Sequence, residues 1–224
     1  MILEKREDKF TFPEINKRLI PSILRDYSAP VSLETDLTLN DHIHLLRFDD
    51  NLFKKWDICQ NLHLKLLKSK NLELFSNSIK QIINNATIDN SITSLILTPP
   101  SYRTFQNNLS NYDPLDLYDM RNSYLIKFYK NLEDDIYNLF KNLLEKFYIN
   151  SDLKIRSLIK ILLEALCTVD NNFAKNIAED FCDSKIMEIK MMGLTSCIKY
   201  NHLNSINLLK KFYYEFQNDK IVLE

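Results

Sequence analysis

Four histidines, two short carboxylate runs and four cysteines are the side chains in this 224-residue chain that could do chemistry. A catalytic zinc takes three protein ligands and keeps one position open, and on a helix two of them come as H-E-x-x-H. His42 and His44 are spaced two residues apart, which sets them about 200° round a helix axis and on different faces. His63 falls on an apolar stripe and His202 in a turn, so no two histidines are spaced for shared ligation. Asp49-Asp50 and Glu133-Asp134-Asp135 have the makings of an acid/base pair, but both are read as helix starts, where solvated carboxylates complement the helix dipole. Cys59, Cys167, Cys182 and Cys197 lie far apart in apolar helical contexts, with no C-x-x-C, and are expected to be buried free thiols of a reducing compartment rather than zinc ligands. A serine or cysteine nucleophile needs a base and an orienting group beside it, and no spacing here is specific for one. Lys65-Leu66-Leu67-Lys68-Ser69-Lys70 reads as a helix C-terminus, where cations meet the negative end of the dipole, before it reads as a nucleic-acid patch.

The elements that carry these residues follow from composition. With 45% apolar and 26% charged residues the chain is a folded one. Its single glycine, Gly193, excludes a P-loop, a G-x-G-x-x-G turn and a G-x-S-x-G elbow, and makes a turn-rich all-β fold unworkable. Lysine and arginine number 29 against 30 acidic residues, a formal charge of −1 that leaves no net basic excess to draw in nucleic acid or an anionic membrane and leaves only local patches open. No uncharged apolar run is long enough to span a bilayer, and Met1-Ile2-Leu3-Glu4-Lys5-Arg6-Glu7-Asp8 is charged where a signal peptide would be apolar. A cytoplasmic protein with neither nucleic-acid nor membrane partners is expected.

Residues 1–35 differ from the rest. Phe10-Thr11-Phe12 and the period-two alternation of Val31-Ser32-Leu33-Glu34 predict one or two short strands, with Pro13 and Pro21 barring a helix between them. An isolated strand is marginal in water, so these need a sheet partner or a helical surface. Residues 36–224 read as about ten helices of roughly 10 to 20 residues. The first starts at Thr38, an N-cap with Asp41 three residues on. The next, residues 51–70, carries Leu52, Phe53, Trp56, Cys59, Leu62, His63, Leu66 and Leu67 as one core-facing stripe. Further helices are predicted over 72–84, 89–97, 114–129, 132–148, 153–167 behind a Ser151 cap, 173–181, 184–200 and 203–216. Short connections make them largely antiparallel neighbours, and pairs of about 35 to 45 residues in series predict an all-α, HEAT- or armadillo-like superhelix with a short β segment at its N-terminus.

The stretch Ile20-Pro21-Ser22-Ile23-Leu24-Arg25-Asp26-Tyr27-Ser28-Ala29-Pro30-Val31 closely resembles the P-S-L-L-R-x-F-S-A-P-V segment of the alanyl aminopeptidases (aminopeptidase N), a family of zinc metallopeptidases. Asp49-Asp50-Asn51-Leu52-Phe53-Lys54-Lys55-Trp56-Asp57-Ile58-Cys59-Gln60 is similar to the family's D-x-x-x-F-x-R-W-[DE]-A-x-Q helix. Leu97-Thr98-Pro99-Pro100-Ser101, Asp113-Pro114 and Ile155-Arg156-Ser157-Leu158 resemble its L-x-L-P-S turn, D-P helix start and R-x-L helix, in the same order. Ser184-Lys185-Ile186-Met187-Glu188 departs from the N-M-T-D element that the family usually has there.

The resemblance implies the tail of a β-sandwich domain joined to an incomplete C-terminal helical domain, the part of the family enzyme that forms a bowl over the active-site chamber and limits entry to short peptides. The family's H-E-x-x-H, third zinc ligand, G-x-M-E-N loop and catalytic tyrosine have no counterpart here. No catalytic, substrate-binding or metal residue is therefore assigned in this chain, and zinc belongs to the complete enzyme. The first expectation is a non-catalytic fragment of such a peptidase. Two alternatives are a subunit of a split enzyme, docking on a separately encoded catalytic half through an edge near Phe10–Phe12, and an independent helical-repeat binding scaffold.

Overall fold

The computed structural model describes residues 7, 9, 11, 15–27, 29, 31, 33–69, 72–85, 88–109, 112–149 and 152–223. Twelve α-helices run through them: α1 (Leu39–Phe48), α2 (Leu52–Leu66), α3 (Glu73–Ile83), α4 (Asn90–Leu97), α5 (Tyr102–Asn108), α6 (Pro114–Lys130), α7 (Glu133–Ile149), α8 (Leu153–Thr168), α9 (Asn172–Phe181), α10 (Met187–Lys199), α11 (Ser205–Phe216) and α12 (Lys220–Leu223). The all-α reading of the sequence holds. The short β segment does not form among the described residues: Phe10 and Phe12 lie outside them, and residues 33–38 run without a ladder, because no second strand stands beside them to take their hydrogen bonds. Among the described residues the only regular element before α1 is a 3-10 turn, Arg25–Tyr27.

Helix starts follow the expected cap chemistry. Thr38 and Asp41 form a reciprocal capping box on α1, and Asp113 caps α6 ahead of Pro114. Ser151 lies outside the described residues, and the α8 cap is its neighbour Asp152, whose carboxylate accepts from the Ile155 amide at 2.8 Å. Helix α5 was not expected. It has seven residues and buries only Phe105, too short a stripe to show a period.

Helix α8 is the pivot of the packing, lying against α4, α6, α7, α9 and α10, with Leu158, Ile159, Leu162, Leu163 and Leu166 at most 1% exposed. Toward the N-terminus the core becomes aromatic. His63 is fully buried, with edge contacts to the rings of Phe75, Tyr124 and Phe128. Its Nδ1 lies 2.8 Å from the Tyr124 hydroxyl, and its Nε2 has no partner among the described residues. The predicted α2 stripe divides at this point. Ile58, Cys59, Leu62, His63 and Leu66 enter the core, whereas Phe53 and Trp56 stay half-buried and line a groove of about 580 Å³ with Ile92 and Leu95.

Turns that would ordinarily use glycine use other residues. Asp170 and Asn201 take positive φ, 66° and 50°, just beyond α8 and α10. There the Asn171 amide reaches back to Leu166 O at 3.0 Å and the His202 amide to Cys197 O at 2.9 Å, closing each helix with a Schellman-type end. Gly193 serves a different purpose, the close crossing of α10 on α9. A Cβ there would stand 2.5 Å from Ala178 O and 2.8 Å from both Cys182 N and Phe181 Cβ, and two of those atoms are backbone.

Gly193→Ala is therefore expected to destabilise the fold by about 2 to 3 kcal/mol. Asn201→Gly should stabilise it by about 0.5 kcal/mol, through relief at positive φ less the greater freedom of the unfolded chain. Urea midpoints at constant m read both. For His63, burial holds the imidazole pKa down at about 3 against an ordinary 6.5, with the Arg121 charge adding to the effect. The folded state thus binds fewer protons, and the stability contribution is complete above pH 6.5 and lost as pH falls toward 3. The loss should reach about 2 kcal/mol by pH 5. His63→Gln keeps a polar partner for Tyr124 without titrating. The difference between the two proteins' stability-against-pH curves should be flat above pH 7 and slope below it.

Candidate functional site

The residues singled out for chemistry do not converge. His42 bonds through Nδ1 to Thr38 O at 2.8 Å on the buried side of α1, whereas His44 is exposed and packs on Phe48. His202 lies 3.4 Å from Glu179, and His63 is enclosed in the core. Among the described residues no three histidine, cysteine, aspartate or glutamate side chains are grouped to hold a metal ion. All four cysteines are free thiols. Cys59, Cys167 and Cys197 are buried and Cys182 is half-buried. Burial pushes Cys59 far above the ordinary thiol range and Cys167 up to about 12, so neither is a thiolate nucleophile. Glu133, Asp134 and Asp135 do sit in the first turn of α7, where Glu133 accepts from Lys130 at 2.5 Å and Asp135 from Asn84 at 2.8 Å.

Asp49 and Asp50 depart from expectation. They lie between α1 and α2 rather than in a first turn, and the Asp49 side chain is only 2% exposed. Asp49 accepts from Ser22 Oγ, and from the Asn51 amide at 2.8 Å, with Arg25 at 3.8 Å. Arg25 also pairs with Asp50, and Asn51 Nδ2 donates to Asp26 at 2.7 Å. Burial alone would raise the Asp49 pKa, but the hydrogen bonds from Ser22 and Asn51, with the Arg25 charge, hold it below the ordinary value. Further back, Arg18 reaches Asp41 at 2.6 Å, the carboxylate that also closes the α1 capping box. Asp41 is drawn down to about 2, first by its bonds from Thr38 and then by Arg18. Two stretches far apart in sequence thus clasp one another, residues 18–26 holding 41–51. Asp49, enclosed and held charged by these partners, is taken up by the clasp.

The other signature residues act in the same structural way. Leu97 O accepts from Tyr129 Oη at 3.1 Å, Thr98 O from Gln60 at 2.9 Å and Pro100 O from Arg121 at 3.0 Å, while Ser101 caps α5. Arg156 pairs with Glu188 at 2.6 Å, within the segment that departs from the family pattern. Sequence reasoning passed over Arg121. Its signal was a lone cation three residues from Tyr118 on an otherwise apolar α6 stripe.

Comparison with known proteins fits this reading. Residues 39–224 match a family model described as a domain of unknown function (DUF3458_C) with ARM repeats, and residues 1–36 match one described as a domain of unknown function (DUF3458) with an Ig-like fold. Aminopeptidase N of Haemophilus influenzae is 29% identical over 143 residues, which is 58% of this chain and 16% of that protein. Aminopeptidase N of Escherichia coli is 25% identical over 140 residues, again 58% of this chain and 16% of the relative. The fold superposes on a crystal structure of Legionella pneumophila aminopeptidase A in complex with aspartic acid with a TM-score of 0.83 at 23% identity, covering 100% of this chain and 28% of that one. This chain therefore spans a small part of the length of the relatives it matches. With the family model covering the helices from α1 to the end, the chain belongs to the DUF3458_C family of ARM-repeat domains and is similar to the C-terminal helical region of aminopeptidase N.

Proposed function

We propose that the chain forms part of the helical wall around the active-site chamber of an aminopeptidase-N-type exopeptidase and catalyses nothing itself. The observation that carries this is the agreement of one continuous helical array with that region of the aminopeptidases, together with signature residues such as Ser22, Arg25 and Asp49 that clasp it. A wall needs rigidity and a fixed position relative to its neighbours. The Arg25, Asp49 and Asn51 contacts supply that by locking the connector onto the first helix pair. Zinc and the zinc-activated water would come from the H-E-x-x-H part of such an enzyme.

A second reading, a subunit that docks on a separately encoded catalytic half, is favoured by the groove at Phe53, Trp56, Ile92 and Leu95. It is mostly apolar, flanked by Arg25 and Asp50, and large enough to seat side chains of a partner.

The purified chain, incubated with zinc, is expected to leave an alanyl chromogenic amide intact; stoichiometric zinc uptake with turnover would overturn the proposal. When co-expressed with a polypeptide of the same genome carrying H-E-x-x-H and G-x-M-E-N, co-elution on size exclusion and restored hydrolysis support the second reading. Trp56→Ala should then weaken the complex about tenfold or more. Separate elution excludes that reading.

A further inference from the structure

Helices α9 and α10 bring two thiols together where they cross. At Gly193 the α10 backbone lies so close to α9 that a side chain would meet Ala178 O and the Cys182 amide. Cys197, four residues further on, shares that face of α10. Its sulfur lies within hydrogen-bonding reach of the Cys182 thiol, which also stands 3.3 Å from Ala178 O. Cys197 is buried, whereas Cys182 is half-buried and borders a hollow against α11 of about 10 Å³, lined by Lys190, Leu194, Lys211 and Phe212. That is room for about one water-sized molecule.

This pair differs chemically from the two remaining thiols. Cys59, fully enclosed, is held protonated by burial, and Cys167 is pushed up to about 12. At Cys197 the hydrogen bond from Cys182 outweighs burial and holds the thiol below its ordinary range. Once one proton has left, the other lies between two sulfurs, and the charge belongs to the pair rather than to either atom. A thiolate with a second sulfur beside it is the arrangement that oxidises to a disulfide, because the neighbour consumes the first oxidation product before it can react further.

We propose that Cys182 and Cys197 form a reversible oxidation site, closed to an intrachain disulfide by hydrogen peroxide and reopened by a thiol reductant. Cys182, at the hollow, is the sulfur that peroxide reaches. Its thiolate attacks one peroxide oxygen, the O–O bond breaks, and the departing hydroxide takes up a proton and leaves as water, so that Cys182 becomes a sulfenic acid. The Cys197 sulfur then attacks Cys182 Sγ, the S–S bond forms, and the sulfenic hydroxyl leaves as a second water with the Cys197 proton. Two thiols and one peroxide thus become one disulfide and two waters. The bond ties the end of α9 to α10 beside the crossing that Gly193 keeps close. The site is separate from the Trp56 groove and involves none of the clasp residues.

The test treats the folded 224-residue chain, reduced and freed of reductant, with hydrogen peroxide, then counts thiols in denaturant and maps tryptic peptides by mass spectrometry without reduction. Lys185 and Lys190 lie between the two cysteines, so trypsin separates them unless they are bridged. The four free thiols are expected to fall to two, with the Cys182 and Cys197 peptides joined, and dithiothreitol should restore all four. Cys197→Ser should leave Cys182 as a sulfenic acid that dimedone traps. Cys182→Ser, which leaves only buried thiols, should react at least about tenfold more slowly. The count and the map are made on the unsubstituted chain, so they decide the matter even where a variant does not fold. Four thiols remaining, a bridge to Cys59 or Cys167, a bridge between chains, sulfinic acid in place of the bridge, or a bridge that forms only in urea overturns the proposal.

Discussion

Everything in this molecule depends on the burial of α8. Its broad apolar face, Leu158, Ile159, Leu162, Leu163 and Leu166, has no stable position in water, and α4, α6, α7, α9 and α10 pack against the helix and leave Lys154 and Lys160 on the outside. Those helices cover the leucine and isoleucine side chains of α8 with their own apolar stripes and leave their polar faces outward, which builds a layered array instead of a bundle with a single axis. The close approach of α10 to α9 at Gly193 belongs to the same requirement. Without a Cβ at that position α10 can sit against α9 and still reach α8.

The array is held to the segment before it by a polar clasp, with Ile20 and Leu37 packed against its core beside it. Ser22, Arg25 and Asp26 engage Asp49, Asp50 and Asn51, and Arg18 engages Asp41. These are the residues that carry much of the resemblance to the aminopeptidases, and their role here is mechanical. A signature of this kind reports an architecture, a segment clasped onto the first pair of helices. The chemistry of the family lies in sequence elements of which this chain shows none.

The helices were legible because an amphipathic stripe is a local property. Their periods, the Thr38–Asp41 box and the Asp113-Pro114 start could all be read before any packing was known. Three features could not. Helix α5 buries one side chain, Phe105, and so shows no period. Asp49 looked like a solvated dipole partner because its real partners, Ser22 and Arg25, lie 27 and 24 residues away in sequence. Phe53 and Trp56 share a stripe with Cys59 and Leu62, yet α2 turns them toward a groove that Ile92 and Leu95 of α4 line without filling.

The sequence by itself determined the all-helical class, the succession of helices and the kinship with an aminopeptidase helical domain, because these depend on spacing along the chain and on ordered local motifs. Only the tertiary structure decided which polar groups would find partners. Whether His63 is enclosed and uncharged, whether Asp49 is clasped or free, and whether Arg121 Nε finds a partner depends on residues brought together from distant parts of the chain. Distance in space, and the loss of water that comes with it, sets the energy of a charge or hydrogen bond. Neither is written in the order of the residues. The same holds for the lone glycine, which composition marks as rare and which packing places at a helix crossing too close for a side chain.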